Sequence, residues 1–228
     1  MKASLAIARA SSGLTAAAWP EVSGAADVDV IARPDELRVT RIRALRGPNF
    51  WRLAPVIACD VTLGALEDVS SADLPGFTER LTSLLPTLHE HECTRGAPGG
   101  FVQRLREGTL IPHILEHVAL ELQARAGTNV AFGRVVASGD PGVWWVIVAY
   151  EEEEVGLRAV REAVRIIKAC IAGQDVDING LIGALQRLWQ NVRLGPSTDA
   201  IVEEARRRGI PVRRLNSRSL VQLGLGRN

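Results

Sequence analysis

The sequence predicts an α+β fold in which a mixed sheet carries helices mainly on one face. Two pairs of strand-like segments enclose a block of amphipathic helices, and further helices follow the second pair. The chain has 228 residues, 46% of them hydrophobic, which is enough for one well-filled core. We therefore expect a main domain over residues 37–193, a low-order leader over residues 1–36, and a small C-terminal α/β segment over residues 194–228.

The first strand pair is predicted on either side of the turn sequence at residues 47–49, Gly-Pro-Asn. Over residues 37–45, apolar residues are interspersed among Arg and Thr, a strand-like pattern. A second strand over residues 51–61 would pair with this first one. Leucines and one Phe then recur at three- and four-residue spacing across residues 77–88. That spacing is typical of an amphipathic helix, so a helix is expected to follow the first strand pair.

The middle of the chain is expected to hold two helices separated by glycine and proline breaks. A short helix over residues 101–107 follows a Gly-rich loop and ends at Gly108. A longer helix is predicted over residues 111–126, because Pro112 suits a first turn, where its missing N–H is not needed.

A second strand pair is predicted over residues 130–137 and 143–150. The later strand is almost wholly apolar, so it should be central and covered on both faces. Helices are expected over residues 155–172 and 178–192. In the C-terminal segment, Ser197 is predicted to cap a helix that precedes a short strand, and the segment is too small to hold its own core.

Charge and composition exclude several classes of protein. The 27 basic and 26 acidic residues leave a net charge of +1, so we expect neither nucleic acid nor a membrane surface as a partner.

The longest apolar run is far short of the roughly 20 residues that a membrane helix needs. The leader is interrupted by Arg9 and Gly13 before it reaches the length of a secretory signal. Three cysteines without close pairing favour reduced thiols and a cytoplasmic location.

The sequence His113-Ile-Leu-Glu116-His117 is the pattern that points to chemistry. At about 100° per residue, the two histidines lie about 40° apart and one turn apart on the predicted helix, opposite its apolar stripe. Two imidazoles so placed can bind one zinc ion, and Glu116 beside them can accept a proton as a general base. The alternative is a solvated helix face without metal.

A zinc hydrolase needs a third protein ligand and an open coordination position. Glu121 is about 12 Å of helix rise from His113, which is too far for both to bind one ion comfortably. A carboxylate of the run at residues 151–154 is the preferred candidate, although acidic residues there also suit a helix N-terminus. His89, His91 and Cys93 form a second possible metal cluster, whereas Cys59 and Cys170 are expected to be small core residues.

Several motifs resemble the amino-terminal module of cyanophycin synthetases over residues 39–226. The His113 to Gln123 stretch is the most specific of them. The others are Leu45-Arg-Gly-Pro-Asn-Phe-Trp51, Leu74-Pro-Gly-Phe77, Gly99-Gly-Phe101, Arg104-Leu-Arg-Glu-Gly-Thr109, Phe132-Gly-Arg134, Pro141-Gly-Val143, Leu194-Gly-Pro-Ser-Thr198 and Gln222-Leu-Gly224.

The resemblance implies a module that binds cyanophycin, a polymer of aspartate and arginine, and a zinc metallopeptidase-like site that clips it into primers. His113 and His117 would then be metal ligands, Glu116 the general base, and Glu154 the third ligand. The family's ATP-grasp and Mur-ligase-like domains are missing, so residues 194–228 are interpreted as a truncated lead-in to an ATP-grasp domain. Separately encoded ligase domains are a possible partner. A non-catalytic polymer anchor and a fragment of a full synthetase remain as alternatives.

Overall fold

A computed structural model describes residues 36–226 of the chain. In chain order its elements are β1 (Arg38–Leu45), β2 (Val56–Thr62), α1 (Phe77–Leu84), α2 (Gly100–Glu107), α3 (Ile111–Ala126), β3 (Gly133–Ala137), β4 (Val143–Ala149), α4 (Glu153–Ala172), α5 (Ile178–Val192), α6 (Pro196–Arg207), β5 (Val212–Arg214) and β6 (Val221–Leu223). Apart from Glu36, the predicted leader lies outside the described residues.

The α+β class is confirmed, but the main sheet is antiparallel at every pairing instead of mixed. Its strand order is β1-β2-β4-β3. β1 and β2 form one hairpin, and β3 and β4 form another around the turn at residues 138–142. Such short connections can join only antiparallel neighbours. The two hairpins then meet through β2 and β4, where Ile57 lies opposite Val148.

The helices pack on one face of this sheet, as predicted. Ile57 and Val148 point into the large core with α3 and α4 because alternate strand residues face the same side. Val56 and Ile147 point to the other face, where a smaller cluster is closed by side chains that include Trp51 from the β1–β2 loop. β4 is therefore central, as expected, and its second face is covered by loop residues.

The β1–β2 loop shortens the predicted second strand. The Asn49 carboxamide accepts hydrogen bonds from the backbone N–H groups of Trp51 and Arg52, and it donates to the carbonyl of Ala54. These bonds compete with strand pairing over residues 49–54. As a result, β2 begins at Val56.

Helix α3 has the predicted bounds and is buried on most of its surface. It packs against the sheet, α4 and α5, with Ile111, Leu115, Val118 and Leu122 inaccessible to solvent. Pro112 lies in its first turn. No helix within residues 36–226 combines the length and hydropathy that a transmembrane span requires.

The C-terminal segment packs beside the first turn of α4. Gly195, not Ser197, is the N-cap of α6, because Pro196 already occupies the first turn. β5 pairs with an unpredicted strand, β6, in a small hairpin. A cavity of about 210 Å³ separates this hairpin from the main domain.

Candidate metal centre

Helix α3 presents His113 and His117 one turn apart. Their ring centroids are 4.8 Å apart, with an interplanar angle of 88°. Phe101 of α2 stacks on the His117 ring at 3.9 Å between centroids. Both imidazoles therefore lie in the cleft between α3 and the segment that precedes it, and His117 is buried.

Cys93 lies beside the two histidines, in a short 3-10 turn at residues 93–95. Its Sγ lies 3.2 Å from His113 Nε2. Cys93 has a φ of +52°, and no other non-glycine residue within residues 36–226 has a positive φ. A left-handed backbone at a side chain with a Cβ is strained, and such strain persists where the surrounding structure imposes it.

The start of α2 holds the Cys93 turn in place. Gly100 lies so close to the turn that a Cβ there would overlap the carbonyl oxygen of Glu92 and approach Arg95 Cβ to 2.7 Å. The Phe101 N–H also donates to the His91 carbonyl at 3.1 Å. Tertiary contacts with α2 therefore impose the conformation that points the thiol at His113.

The ligand atoms of Cys93, His113 and His117 all lie within 4.8 Å of one another. A tetrahedral zinc site with the usual bond lengths would place them about 3.3–3.7 Å apart, so a small contraction would suffice. One sulfur and two imidazole nitrogens are a donor set that zinc accepts readily. The residues present therefore fit the metal that the sequence pattern predicts.

The electrostatic environment keeps both imidazoles neutral. Burial, with a smaller contribution from Arg104, lowers the pKa of His113 to about 4. Burial and the neighbouring histidines lower the pKa of His117 well below its ordinary value. Metal binding requires the neutral form of histidine, so this environment favours a ligand over a cation.

The Nδ1 atom of each of the two α3 histidines lies within hydrogen-bonding distance of a polar side chain. Thr109 Oγ1 is 2.8 Å from His113 Nδ1, and His91 Nδ1 is 2.9 Å from His117 Nδ1. His91 Nε2 in turn lies 3.0 Å from a carboxylate oxygen of Glu121. The Nε2 atom of each α3 histidine is therefore the nitrogen left for a metal ion.

Glu116 lies outside the three-residue group, against the backbone of β3. A Cβ on Gly133 would overlap its carboxylate. Within residues 36–226 the Glu116 carboxylate has no hydrogen bond or ion pair with another side chain. Burial raises the pKa of Glu116 to about 8. An acidic side chain without partners and with a raised pKa has the properties expected of a proton-transfer group.

The structure does not bring Glu154 to the histidines. Glu154 is exposed in the first turn of α4, beside the cavity at the C-terminal hairpin. The nearby Gly156 faces Gln123 of α3, which is ten residues after His113, about 15 Å along the helix axis. His89 is also exposed and outside the group.

The sequence predicts His89, His91 and Cys93 as a second possible metal cluster, separate from His113 and His117. Their two-residue spacing suits an extended segment better than a helix end. In the structure, residue 91 is extended and Cys93 is left-handed, so the segment turns back towards α3. Of the second predicted cluster, Cys93 therefore joins His113 and His117, His91 contacts His117 without being one of the three grouped residues, and His89 lies apart.

Comparisons with known proteins agree with the motifs described above. A family model described as cyanophycin synthase-like N-terminal domain matches residues 58–172. The chain is 44% identical over 197 residues to cyanophycin synthetases of Trichormus variabilis and Nostoc sp.. It is 41% identical over 195 residues to that of Synechocystis sp.. These matches cover 83–84% of this chain and 22% of each relative. The chain belongs to the family of cyanophycin synthase-like N-terminal domains.

Proposed function

We propose that the chain is a cyanophycin-binding module with a zinc-dependent, peptidase-like site at Cys93, His113 and His117. The observation that carries the proposal is the convergence of a thiol and two neutral imidazoles on one point between α2 and α3. Cys93 takes the place of Glu154 as the proposed third ligand. The polymer substrate is inferred from the name of the relatives, cyanophycin synthetase.

Three protein ligands suit a catalytic zinc site better than a structural one, because structural sites usually have four. His91 is the nearest candidate for a fourth, but it faces the Nδ1 side of His117, away from the nitrogen proposed to bind metal. A zinc ion bound here would supply Lewis-acid chemistry. The protein would keep one coordination position open for a substrate group.

Glu116 is the proposed general base. It is next to His117 in the sequence, and it lies outside the group of three ligands. Its raised pKa means that the carboxyl group is largely protonated at neutral pH in the metal-free protein. A nearby divalent cation would favour the ionised form, which can accept a proton from the attacking nucleophile.

The first experiment measures metal content and polymer length. Protein purified without chelator should contain close to one zinc per chain, and His113→Ala and His117→Ala should each remove it. The unsubstituted chain should shorten cyanophycin slowly on a sizing gel. Glu116→Gln should retain zinc and polymer binding and lose about a hundredfold to ten-thousandfold in cleavage rate.

Folded protein with less than about a tenth of a zinc per chain would contradict the proposal. Equal cleavage by the Glu116→Gln variant would reject Glu116 as the base. Polymer binding by both forms, with cleavage by neither, would support the alternative role of a non-catalytic anchor.

A role beside ligase domains is favoured by a separate observation. The chain spans about 22% of the length of the relatives, and six of the eight exposed large apolar side chains within residues 36–226 lie in residues 201–225. A concentration of exposed apolar side chains in one segment is common at protein interfaces. We infer that this segment contacts ligase domains, whether covalently linked or separately encoded.

The cysteines of the chain are free and buried, which suits the cytoplasm.

A further inference from the structure

Beside the proposed metal ligands, four side chains form a continuous hydrogen-bonded chain. His117 Nδ1 is 2.9 Å from His91 Nδ1, and His91 Nε2 is 3.0 Å from Glu121 Oε2. The hydroxyl of Thr87 donates to the other oxygen of Glu121. This series of hydrogen bonds links α3 twice to the 3-10 segment at residues 86–90 and its C-cap His91.

The Glu121 end of this chain determines the direction of the hydrogen bonds. Glu121 is only 3% exposed. Burial by itself would raise its pKa, but hydrogen bonds from His91 and Thr87 and the nearby basic side chains together outweigh that effect, so its pKa is lowered. An ionised carboxylate can only accept hydrogen bonds. His91 must therefore donate through Nε2–H.

The tautomer of His117 follows from the contact between the two rings. Their Nδ1 atoms are 2.9 Å apart, so one of them carries a proton and the other accepts it. A neutral His117 can bind metal through Nε2 only with its own proton on Nδ1, so His91 is the acceptor in the metal-binding form and keeps its proton on Nε2, facing Glu121. The lone pair of His117 is left on Nε2, the nitrogen that is available to a metal ion.

We propose that His91 and Glu121 are positioning residues that fix the tautomer and ring orientation with which His117 binds metal. This inference rests on the proposed function, since it concerns the same metal site. Metal-bound histidines commonly donate their second N–H to a carboxylate or carbonyl, which fixes the ring and increases its basicity. In this protein an imidazole is interposed between the ligand and the carboxylate.

The arrangement also explains a buried carboxylate, that of Glu121, which the proposed reaction does not use directly. Glu121 is on α3, but four residues beyond His117 and directed towards residues 87 and 91. Arg125, at 3.9 Å from Glu121, is too distant for a close ion pair and is partly exposed. The partners of the buried carboxylate are therefore chiefly His91 and Thr87.

The test has one measurement on the unsubstituted, metal-free chain. Nitrogen-15 NMR of the histidine rings should show His117 protonated on Nδ1 and His91 protonated on Nε2. If His117 is protonated on Nε2 instead, the proposal is overturned. This measurement needs neither zinc nor a variant, so it decides the proposal even if zinc binding fails or a variant does not fold.

Zinc affinity, measured by competition with a chelating dye, provides the second measurement. Glu121→Gln is nearly isosteric but can donate as well as accept, so it no longer imposes a single tautomer. His91→Phe removes the acceptor of the His117 proton. Each variant should lose about tenfold to a hundredfold in zinc affinity.

A double-mutant cycle tests whether the two residues act through one chain. Since His91 connects Glu121 to His117, the double variant should lose no more affinity than His91→Phe alone. Additive losses would show that the two side chains act separately and would overturn the proposal. Affinities of both single variants within about twofold of the unsubstituted chain would also overturn it, while the metal site itself would stand.

Matched controls come from the same segment. His89 and Glu90 are exposed neighbours of His91. His89→Gln and Glu90→Gln should therefore leave zinc affinity and the His117 tautomer unchanged. A loss as large as that of the His91 variant would attribute the effect to the segment as a whole and contradict a specific role for His91.

Discussion

At the scale of single residues, folding buries three titratable side chains of the candidate site in their uncharged forms. His113, His117 and Glu116 each have a pKa displaced towards the neutral form, and burial is the main cause in all three. Charged groups lose hydration energy in such a place. In the metal-free protein the three side chains are therefore held in their neutral forms. A bound cation would interact favourably with the two imidazole lone pairs.

Glu116 gives a prediction for pH-dependent stability. Its pKa rises from an ordinary 4.5 to about 8 on folding, so the folded state binds more protons than the unfolded state between these values. Stability of the metal-free chain should therefore fall as pH rises from about 5 to 8 through this group. Glu116→Gln removes the effect and should stabilise the metal-free protein by a few kcal/mol at pH 8, on the order set by about 1.4 kcal/mol per pKa unit.

Thermal unfolding in chelator at a series of pH values would measure that difference. The gap between the two proteins should close near pH 4.5, where both side chains are neutral. Glu107→Gln is the control, because Glu107 is exposed. A Glu116→Gln variant that is less stable than the unsubstituted chain at pH 8 would contradict a buried, unpaired carboxyl group.

At the scale of elements, the site depends on how α2 contacts the Cys93 turn. Gly100 begins α2 and lies against the backbone of Glu92. The obstacle to a side chain is a backbone carbonyl, which cannot rotate away as a flexible side chain can. The close approach therefore positions Cys93 as well as packing the helix.

Gly100→Ala should separate α2 from the turn that carries Cys93. We expect a loss of about 1–3 kcal/mol in stability, the usual cost of overpacking, together with weaker zinc binding because the thiol moves away from His113. Chemical denaturation and the chelator competition assay would measure the two effects.

Gly195→Ala is the matched control, since a Cβ there meets nothing within 4 Å. It should retain both stability and zinc affinity. If Gly100→Ala also retained both, the close contact between α2 and the turn would not be what holds Cys93 in place.

At the scale of the whole molecule, one arginine links the C-terminal segment, residues 194–226, to the rest of the structure. Arg214 pairs with Glu152 and donates to the carbonyls of Val192, Ser217 and Arg218 at 2.7–2.8 Å. Burial raises the pKa of Glu152 to about 7 even though Arg214 opposes that rise. Without Arg214 the buried Glu152 carboxylate would lose its ion-pair partner.

Arg214→Ala should therefore loosen residues 194–226 without affecting the proposed metal site. Loss of a partly buried ion pair costs on the order of a few kcal/mol, and here the cost falls on the docking of the segment. Limited proteolysis with mass spectrometry should show faster cleavage near residues 193–195, at unchanged zinc affinity. Arg213→Ala, at an exposed neighbour, should be cleaved at the original rate. Equal protection of both variants would contradict this role of Arg214.

The sequence by itself determined the α+β class, the helices on one face of the sheet, the family, and helix α3 with its two histidines on one side. The strands and helices depend on spacings of two to four residues, which a linear pattern records directly, and the family depends on motifs that can be read along the chain. It could not determine that the sheet is antiparallel throughout, because the pairing of β2 with β4 joins segments about 90 residues apart.

Only the tertiary structure decided which side chains join those histidines. Cys93 is 20 residues from His113, and His91 is 26 residues from His117. Cys93 makes its contact from a left-handed backbone, in a turn that packs closely against α2 at Gly100. The sequence favours Glu154 as the third ligand, yet α4 begins near the far end of α3. A helix fixes the spacing of its own side chains, whereas packing between elements decides what faces them.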